Sequence, residues 1–215
     1  MSTNAKEISN RVELRDRIIV KATEAFTLHG IKSITMDDIA TSLGISKRTL
    51  YEDKETLLRE VILKNQEDKN EFLENLLAES TNVLEVILVC FQKSIEMFHQ
   101  TNKRFFEDLK KYPHVFNMVK KNRDKDSEST IAFFKSGVEQ GIFRDDVNFA
   151  IVNLLVREQF DLLMNTDICK EYPFLEVYES IMFTFLRGIA TERGARVLEE
   201  FIQEYRKNRI ERTGE

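Results

Sequence analysis

Apolar residues recur along most of the chain with the period of about 3.6 residues that marks amphipathic α-helices. This pattern predicts a first helix over Val12–His29, and Gly30 follows as a residue that readily ends a helix. Further helices are predicted over Glu55–Ala78, Asn82–Gln100, Thr101–Lys111, His114–Gln140, Val147–Met164, Phe174–Ala190 and Glu192–Arg209. The sequence therefore predicts an all-α fold.

The most informative segment begins at Thr35, a favourable N-cap for a short helix that ends at Gly44. Ser46 is placed to cap a second short helix directly afterwards. Ala40, Gly44 and Leu50 have the spacing of a helix-turn-helix. The small alanine lets the two helices approach, the glycine accepts the turn, and the leucine fills the core between them.

The second of these short helices is predicted to present a basic face, because no acidic residue occurs from Gly44 to Tyr51. Arg48 can pair bidentately with guanine in the major groove, and Thr49 can contact a thymine methyl group. Lys47 and Tyr51 suit contacts with phosphates. The segment therefore predicts binding to double-stranded DNA. The alternative is an ordinary corner between two helices whose exposed side is basic.

This part of the chain resembles the N-terminal domain of the TetR (tetracycline-repressor-like) transcriptional regulators. The similarity covers about residues 11–64 and is carried by FTLHGIKSITMDDIATSLGISKRTLY and the following KETLLREVI. It implies a DNA-binding domain over residues 1–53 and a helical ligand-binding and dimerisation domain over residues 54–215. The resemblance implies DNA contacts by Thr35 and Lys54 at helix N-termini and by Ser46, Lys47, Arg48, Thr49 and Tyr51 on a recognition helix. It also implies an arm before Val12 that reaches the DNA backbone or the minor groove.

One connection departs from the family pattern. Members of the family have a longer, aromatic-containing turn after the Leu-Tyr pair, whereas this chain has only Glu52 and Asp53 before Lys54. Either the connection is short, which changes the link between the two domains, or residues of the turn are absent from this sequence. A short connection leaves a second function open: a dimeric helical ligand-binding module that no longer binds DNA.

The two predicted helices Val147–Met164 and Phe174–Ala190 are apolar on nearly all sides. The first carries two apolar stripes, one through Val152 and Val156 and the other through Leu154 and Leu155. One stripe can face the domain core, while the other needs a second cover, for which a partner subunit is suited. The alternative is burial of both stripes within one protomer. The predicted homodimer interface comprises Val152, Val156, Phe160, Leu163, Tyr178, Ile181 and Phe185.

Phenylalanine and methionine are abundant, with 16 Phe and 6 Met in the chain. Such side chains can line an apolar cavity between helices, although each of them can equally be part of an ordinary core. The resemblance implies a small apolar or amphipathic effector bound in the C-terminal domain. The candidate lining residues are Cys90, Met97, Phe105, Met118, Phe134, Phe160 and Met164.

The composition excludes several other classes of protein. Only 7 Gly and 2 Pro occur in 215 residues, too few for the tight turns of a β-sandwich or barrel, and no glycine-rich phosphate loop is present. No segment has the apolar length of a membrane span or a secretory signal, so we expect a cytoplasmic protein without a membrane partner. Glu96 and His99 have the spacing of metal ligands on one helical face, but the companion motif of a metal site is missing. We therefore predict neither an enzyme nor a bound cofactor or metal.

Overall fold

The computed structural model describes the backbone of residues 2–125, 127–165 and 168–213. Side chains within these ranges are described except those of residues 2–8, 123–125, 127, 160–162, 164, 165, 169 and 209–213. The helices are α1 Ser2–His29, α2 Met36–Leu43, α3 Lys54–Glu79, α4 Val83–Gln100, α5 Lys103–Leu109, α6 Pro113–Lys125, α7 Ser127–Glu139, α8 Phe149–Asn165, α9 Ile168–Glu171, α10 Phe174–Ile189 and α11 Glu192–Thr213. The prediction of an all-α fold is confirmed.

Most predicted helices agree with the structure to within two residues at each end, and three differ more: the first, the second short helix, and the last, which continues to Thr213. Helix α1 begins at Ser2 and not at Val12, so the predicted arm is a continuation of the helix. The predicted helix His114–Gln140 is helical through its described part up to Glu139, as α6 and α7, and residue 126 between them lies outside the described residues. The predicted second short helix is a single 3₁₀ turn over Lys47–Thr49. The short helix α9 lies in a range for which the sequence predicted no helix.

The chain divides into two compact units, of which the first comprises Met1–Glu74 and Glu96–Asn122. Its core is formed where α1, α2, the first turns of α3, and α5 meet. The buried side chains are Ile18, Ile19, Ala22, Phe26, Ile31, Ile39, Leu57, Leu58, Val61, Phe105, Leu109 and Val115. Since each fully buried large apolar side chain contributes about 1.5–3 kcal/mol, this core holds the short α2 and the 3₁₀ turn in place.

The second unit comprises Asn75–Ile95 and Arg123–Glu215. Aromatic side chains fill much of its interior: Phe91 stacks on Tyr178 with a centroid distance of 5.4 Å, and Phe134 stacks on Phe149 at the same distance. None of the described helices combines the length and the hydrophobicity that a membrane-spanning segment requires. The compact units divide α3 between them, and the domain boundary after residue 53 stays a prediction.

Candidate nucleic-acid interface

Helix α2 begins with a complete capping box at Thr35. The Thr35 hydroxyl accepts a hydrogen bond from the Asp38 backbone N–H at 3.1 Å, and the Asp38 carboxylate accepts one from the Thr35 N–H at 2.7 Å. These bonds satisfy two N–H groups that a helix start leaves without partners. The hydrogen bonds from the side chain and backbone of Thr35 lower the pKa of Asp38. The predicted cap at Thr35 is confirmed.

The turn after α2 depends on Gly44, whose φ of 66° lies in the left-handed region. Its N–H donates to the carbonyl groups of Ala40 and Thr41, which closes the last helical turn. The N–H of Ile45 also donates to the Ala40 carbonyl, at 3.1 Å. A Cβ at position 44 would meet no heavy atom within 4 Å, so the glycine is required by its backbone conformation and not by crowding.

The segment after this turn is shorter than a typical recognition helix. The N–H of Thr49 donates to Ser46 O at 2.9 Å and that of Leu50 to Lys47 O at 3.1 Å, which is the pattern of one 3₁₀ turn. Leu50 is already extended, with ψ of −178°. Asp53 then caps α3 by accepting from the Thr56 N–H at 2.7 Å. Only residues 50–52 separate Thr49 from the Asp53 cap, and they are too few for a further α-helical turn.

We call Ser46–Thr49 the recognition segment, and its four side chains are exposed. Lys47 pairs with Asp37 at 2.7 Å, and the hydroxyl groups of Ser46 and Thr49 lie 2.8 Å apart. Within the described part of the chain, the Arg48 guanidinium makes neither a hydrogen bond nor an ion pair. Arg48 is therefore the side chain of this segment that is ready to bind an external acceptor without losing an internal one.

Tyr51 follows the recognition segment and is half-buried against the core of the first unit. Its hydroxyl accepts a hydrogen bond from Arg15 Nε at 3.3 Å, and Arg15 Nη2 lies 2.5 Å from Glu60 Oε2. The hydrogen bond to Glu60, followed by the one to Tyr51, raises the pKa of Arg15. The sequence did not single out Arg15, because its two partners are distant along the chain.

The Lys54 side chain, predicted to contact a phosphate, is engaged inside the first unit. Its Nζ donates to the Ile31 carbonyl at 3.1 Å, and burial lowers the pKa of its ammonium group. The residue does begin α3, as predicted, so the backbone at this position belongs to the helix N-terminus. A contact with a phosphate here is therefore supported by the helix end and not by the present placement of the ammonium group.

Helix α5 is hydrogen-bonded to the turn between α1 and α2, a contact that the sequence analysis missed. Asp108 is buried, and its carboxylate accepts from the Lys32 backbone N–H and from Lys111 Nζ, both at 2.8 Å. Burial alone would raise the pKa of Asp108, but the hydrogen bonds from Lys111 and Lys32 outweigh this effect and lower it. Asn102 adds a bond from its N–H to Thr27 O at 2.7 Å. The available signal was a carboxylate on the apolar side of α5, next to Leu109.

In the second unit, α8 and α10 form an apolar surface around a shallow groove. Ile151, Leu154 and Leu155 on α8 are 55%, 52% and 56% exposed, so the outer stripe of this helix is the one through Leu154 and Leu155. The groove has a volume of about 360 Å³. It is lined by Val152, Leu155, Val156, Gln159, Val177, Ser180, Ile181, Thr184 and Phe185.

Four of the predicted dimer residues, Val152, Val156, Ile181 and Phe185, line this groove. Leu163 and Tyr178 are instead buried within the protomer, so little of either side chain is left for a partner. The side chain of Phe160 lies outside the described residues. The sequence analysis assigned the interface to the stripe through Val152 and Val156, whereas the exposed large apolar side chains of α8 belong to the stripe through Leu154 and Leu155, a difference that periodicity alone does not reveal.

The predicted effector-binding residues are spread over both units. Phe105 is part of the buried core of the first unit and Met118 packs against it, whereas Met97 is exposed. Cys90 is half-buried on α4, and Phe134 lies in the second unit, in contact with the rings of Phe143, Phe149 and Phe185. The side chains of Phe160 and Met164 lie outside the described residues. The effector site stays a prediction.

The recognition segment lies in a part of the chain that matches a known protein family. Residues 18–61 match the model of the family described as bacterial regulatory proteins, tetR family. The chain is 26% identical over 156 residues to the HTH-type transcriptional repressor KstR2 of Mycolicibacterium smegmatis, an alignment that covers 67% of this chain and 74% of that protein. The matched family region contains the capping box, the Gly44 turn and the recognition segment.

Solved structures show the same fold along most of the chain. A transcriptional regulator of Saccharomonospora viridis in complex with choline has a TM-score of 0.66 and 16% identity, covering 84% of this chain and 100% of that one. The ketosteroid transcriptional regulator KstR2 of Mycobacterium tuberculosis has a TM-score of 0.53 and 21% identity, covering 83% and 95%. A TetR-family regulator of Marinobacter aquaeolei has a TM-score of 0.65 and 18% identity, covering 87% and 98%.

Proposed function

We propose that this chain, a member of the TetR family of transcriptional regulators, binds a palindromic DNA operator as a homodimer and is released from it by a small-molecule effector. The family consists of DNA-binding proteins and not of enzymes. The observation that carries the proposal is the exposed recognition segment, which follows a capped helix and a glycine turn and holds Arg48, a side chain without a partner among the described residues. Repression is inferred because the relative in Mycolicibacterium smegmatis is described as a repressor.

Binding to the major groove follows from the chemistry of the recognition segment. Arg48 is proposed to pair with guanine O6 and N7, and Thr49 to contact a neighbouring base. Lys47 is proposed to leave its ion pair with Asp37 and to bind a DNA phosphate instead. Both members of this ion pair are exposed, so breaking it costs little. The N-termini of α2 and α3, at Thr35 and Lys54, offer backbone N–H groups to phosphates.

The helical form of residues 2–11 changes what this part of the chain can do on DNA. An α-helix with its side chains is about 10–12 Å wide, whereas the minor groove of B-DNA is about 6 Å wide. The start of α1 therefore does not enter the minor groove as a helix. Its basic residues, such as the exposed Arg11, are proposed to contact phosphates only.

Dimerisation is proposed to use the apolar surface of α8 and α10. Its exposed large apolar side chains, Ile151, Leu154 and Leu155, lie on one face of α8 at helical spacing, and the groove beside them is mostly apolar. A two-fold axis through this surface would bring identical stripes together and form a bundle of four helices. Two recognition segments related by that axis would read the two halves of a palindrome.

The effector is proposed to be a small apolar or amphipathic molecule that binds among the helices after α3. The aromatic interior of the second unit, around Phe91, Phe134 and Tyr178, supplies the apolar contacts that such a ligand needs. Release from DNA requires that the effector prefer a protein conformation with lower DNA affinity. The choline complex of the Saccharomonospora viridis regulator makes choline a reasonable first compound to assay.

Selection from a pool of random duplexes tests the proposed function. We expect the purified protein to enrich one pseudo-palindromic sequence. Arg48→Ala should lose the preference at one position of each half-site, at a cost of about 1–3 kcal/mol. Lys47→Ala is the matched control and should weaken binding to all duplexes alike. Both effects are measured as dissociation constants for the enriched duplex and for single-base variants of it.

The shortness of the recognition segment favours a second candidate function, a dimeric ligand-binding module that no longer reads DNA. One 3₁₀ turn presents fewer side chains to a groove than a typical recognition helix. A selection in which no duplex is enriched, by a protein shown to be dimeric, would support this second function and contradict the first.

A further inference from the structure

We infer that Arg15 on α1 is a positioning residue for DNA recognition. It fixes the position of the C-terminal end of the recognition segment, through Tyr51, without itself contacting a base. This inference rests on the proposed function. It concerns a side chain outside the helix-turn-helix motif, which spans residues 35–51. The structure supports it through the contacts of Arg15 with Tyr51 on one side and Glu60 on the other.

The two contacts use different nitrogen atoms of the same guanidinium group. Nε donates to the Tyr51 hydroxyl at 3.3 Å, and Nη2 donates to Glu60 Oε2 at 2.5 Å. Arg15 thus links α1 to α3 and to Tyr51, which lies two residues after the recognition segment. The Glu60 side chain is 16% exposed, compared with 59% for Arg15. Because the Glu60 side chain is largely withdrawn from water, loss of Arg15 leaves a partly buried carboxylate without the charge that it pairs with in this contact.

The recognition segment needs such an anchor because its own structure is small. A 3₁₀ turn of three residues has weaker hydrogen-bond geometry than an α-helix. Its first end is fixed by the Gly44 turn, through the bond from Ile45 N–H to Ala40 O. Its second end continues into extended Leu50 and then Tyr51, whose ring packs on the core and whose hydroxyl meets Arg15. Arg15 therefore acts on the second end.

Arginine suits these two contacts because they use separate nitrogen atoms of one rigid group. Its planar guanidinium presents several donors in a fixed arrangement, whereas a lysine ammonium is a single flexible point charge. Arg15→Lys keeps the positive charge and removes the bridging geometry. This substitution separates a positioning role from an electrostatic contact between Arg15 and a phosphate, because the phosphate contact depends mainly on charge.

The test measures the affinity of wild-type, Arg15→Lys, Tyr51→Phe and doubly substituted proteins for the enriched duplex at several salt concentrations. We expect Arg15→Lys to weaken binding about tenfold, the effect of losing one charge-assisted hydrogen bond. The dependence of the affinity on salt concentration should stay unchanged, because the positive charge is kept. The double variant should be no weaker than the weaker of the two single variants, since both interrupt one link. Arg17→Lys, at an exposed position two residues along α1, is the control and should bind like the wild type.

Hydrogen exchange of the free protein supplies a readout that does not depend on DNA. The amides of Thr49 and Leu50 should exchange faster in Arg15→Lys than in the wild type, while the buried amides of α1 stay equally protected. Wild-type affinity and exchange in Arg15→Lys would overturn the inference and leave the proposed function intact. Absence of specific DNA binding by the wild type would overturn the proposed function and, with it, the role of Arg15 in recognition.

Discussion

Leu155→Glu is expected to dissociate the proposed dimer into monomers and to abolish the proposed tight binding to an operator. Leu155 is 56% exposed and lines the groove between α8 and α10, where the partner subunit is proposed to pack. Two-fold symmetry would place two new carboxylates in this apolar interface, at a cost of about 3–5 kcal/mol or more. The dimer dissociation constant should rise by at least about 100-fold. Sedimentation equilibrium over a range of protein concentrations measures this change.

Leu77→Glu is the matched control for this prediction. Leu77 on α3 is 51% exposed, so the same substitution is made at nearly the same exposure but on a different surface. We expect Leu77→Glu to remain dimeric and to bind the operator like the wild type. A dimeric Leu155→Glu protein with normal affinity would contradict the proposed interface and would place the dimer contact on another part of the chain.

Asp108→Ala is expected to give the largest loss of stability among single polar substitutions in the first unit. It removes the acceptor of the Lys32 N–H and of Lys111 Nζ and separates α5 from the turn between α1 and α2. The loss of two hydrogen bonds to a buried charged acceptor costs about 2–3 kcal/mol. Urea unfolding measures the change. Asp108→Asn, which retains an acceptor for Lys32, should recover part of it, and Glu107→Ala, on the exposed side of the same helix, should have little effect.

The pH dependence of the free energy of unfolding in the acidic range gives an independent check of the Asp108 contact. The pKa of Asp108 is lower in the folded protein than its ordinary value, so the folded state favours the carboxylate. The resulting stability is present above the ordinary carboxyl pKa of about 3.9 and is lost as the pH falls through the lower pKa of the folded state. Asp108→Ala should reduce this pH dependence. If Asp108→Ala had the stability of the wild type and the same pH dependence in the acidic range, the contact would contribute nothing to stability.

Local features of the site were predictable because local rules govern them. The Thr35 cap and the left-handed Gly44 follow from residue type and spacing over a few positions, and the structure has both. The recognition segment was predicted as a helix from the same kind of pattern, and this was wrong in length. The short connection between Thr49 and the Asp53 cap limits the helix, a constraint that hydrophobic periodicity does not express.

Contacts between distant parts of the chain were not predictable from spacing. Arg15 meets Tyr51 and Glu60, and Asp108 meets Lys32, only because the first unit has folded. The outward stripe of α8 was also ambiguous, since a helix that is apolar on two sides carries no mark of which side is covered by its own domain. The early start of α1 was missed for a different reason. Its first residues are mostly polar and carry no apolar stripe, and intrinsic helix propensity alone predicts a helix only weakly.

The most direct test of a dimer that reads a palindrome compares two duplexes, one with both enriched half-sites and one with a single half-site left intact. Protein binding is titrated on each at salt concentrations between about 50 and about 200 mM. The account predicts two protomers on the full palindrome, an affinity that falls steeply with salt, and a loss of at least about 100-fold when one half-site is removed. Equal affinity for both duplexes, or an affinity that does not change with salt, would contradict it.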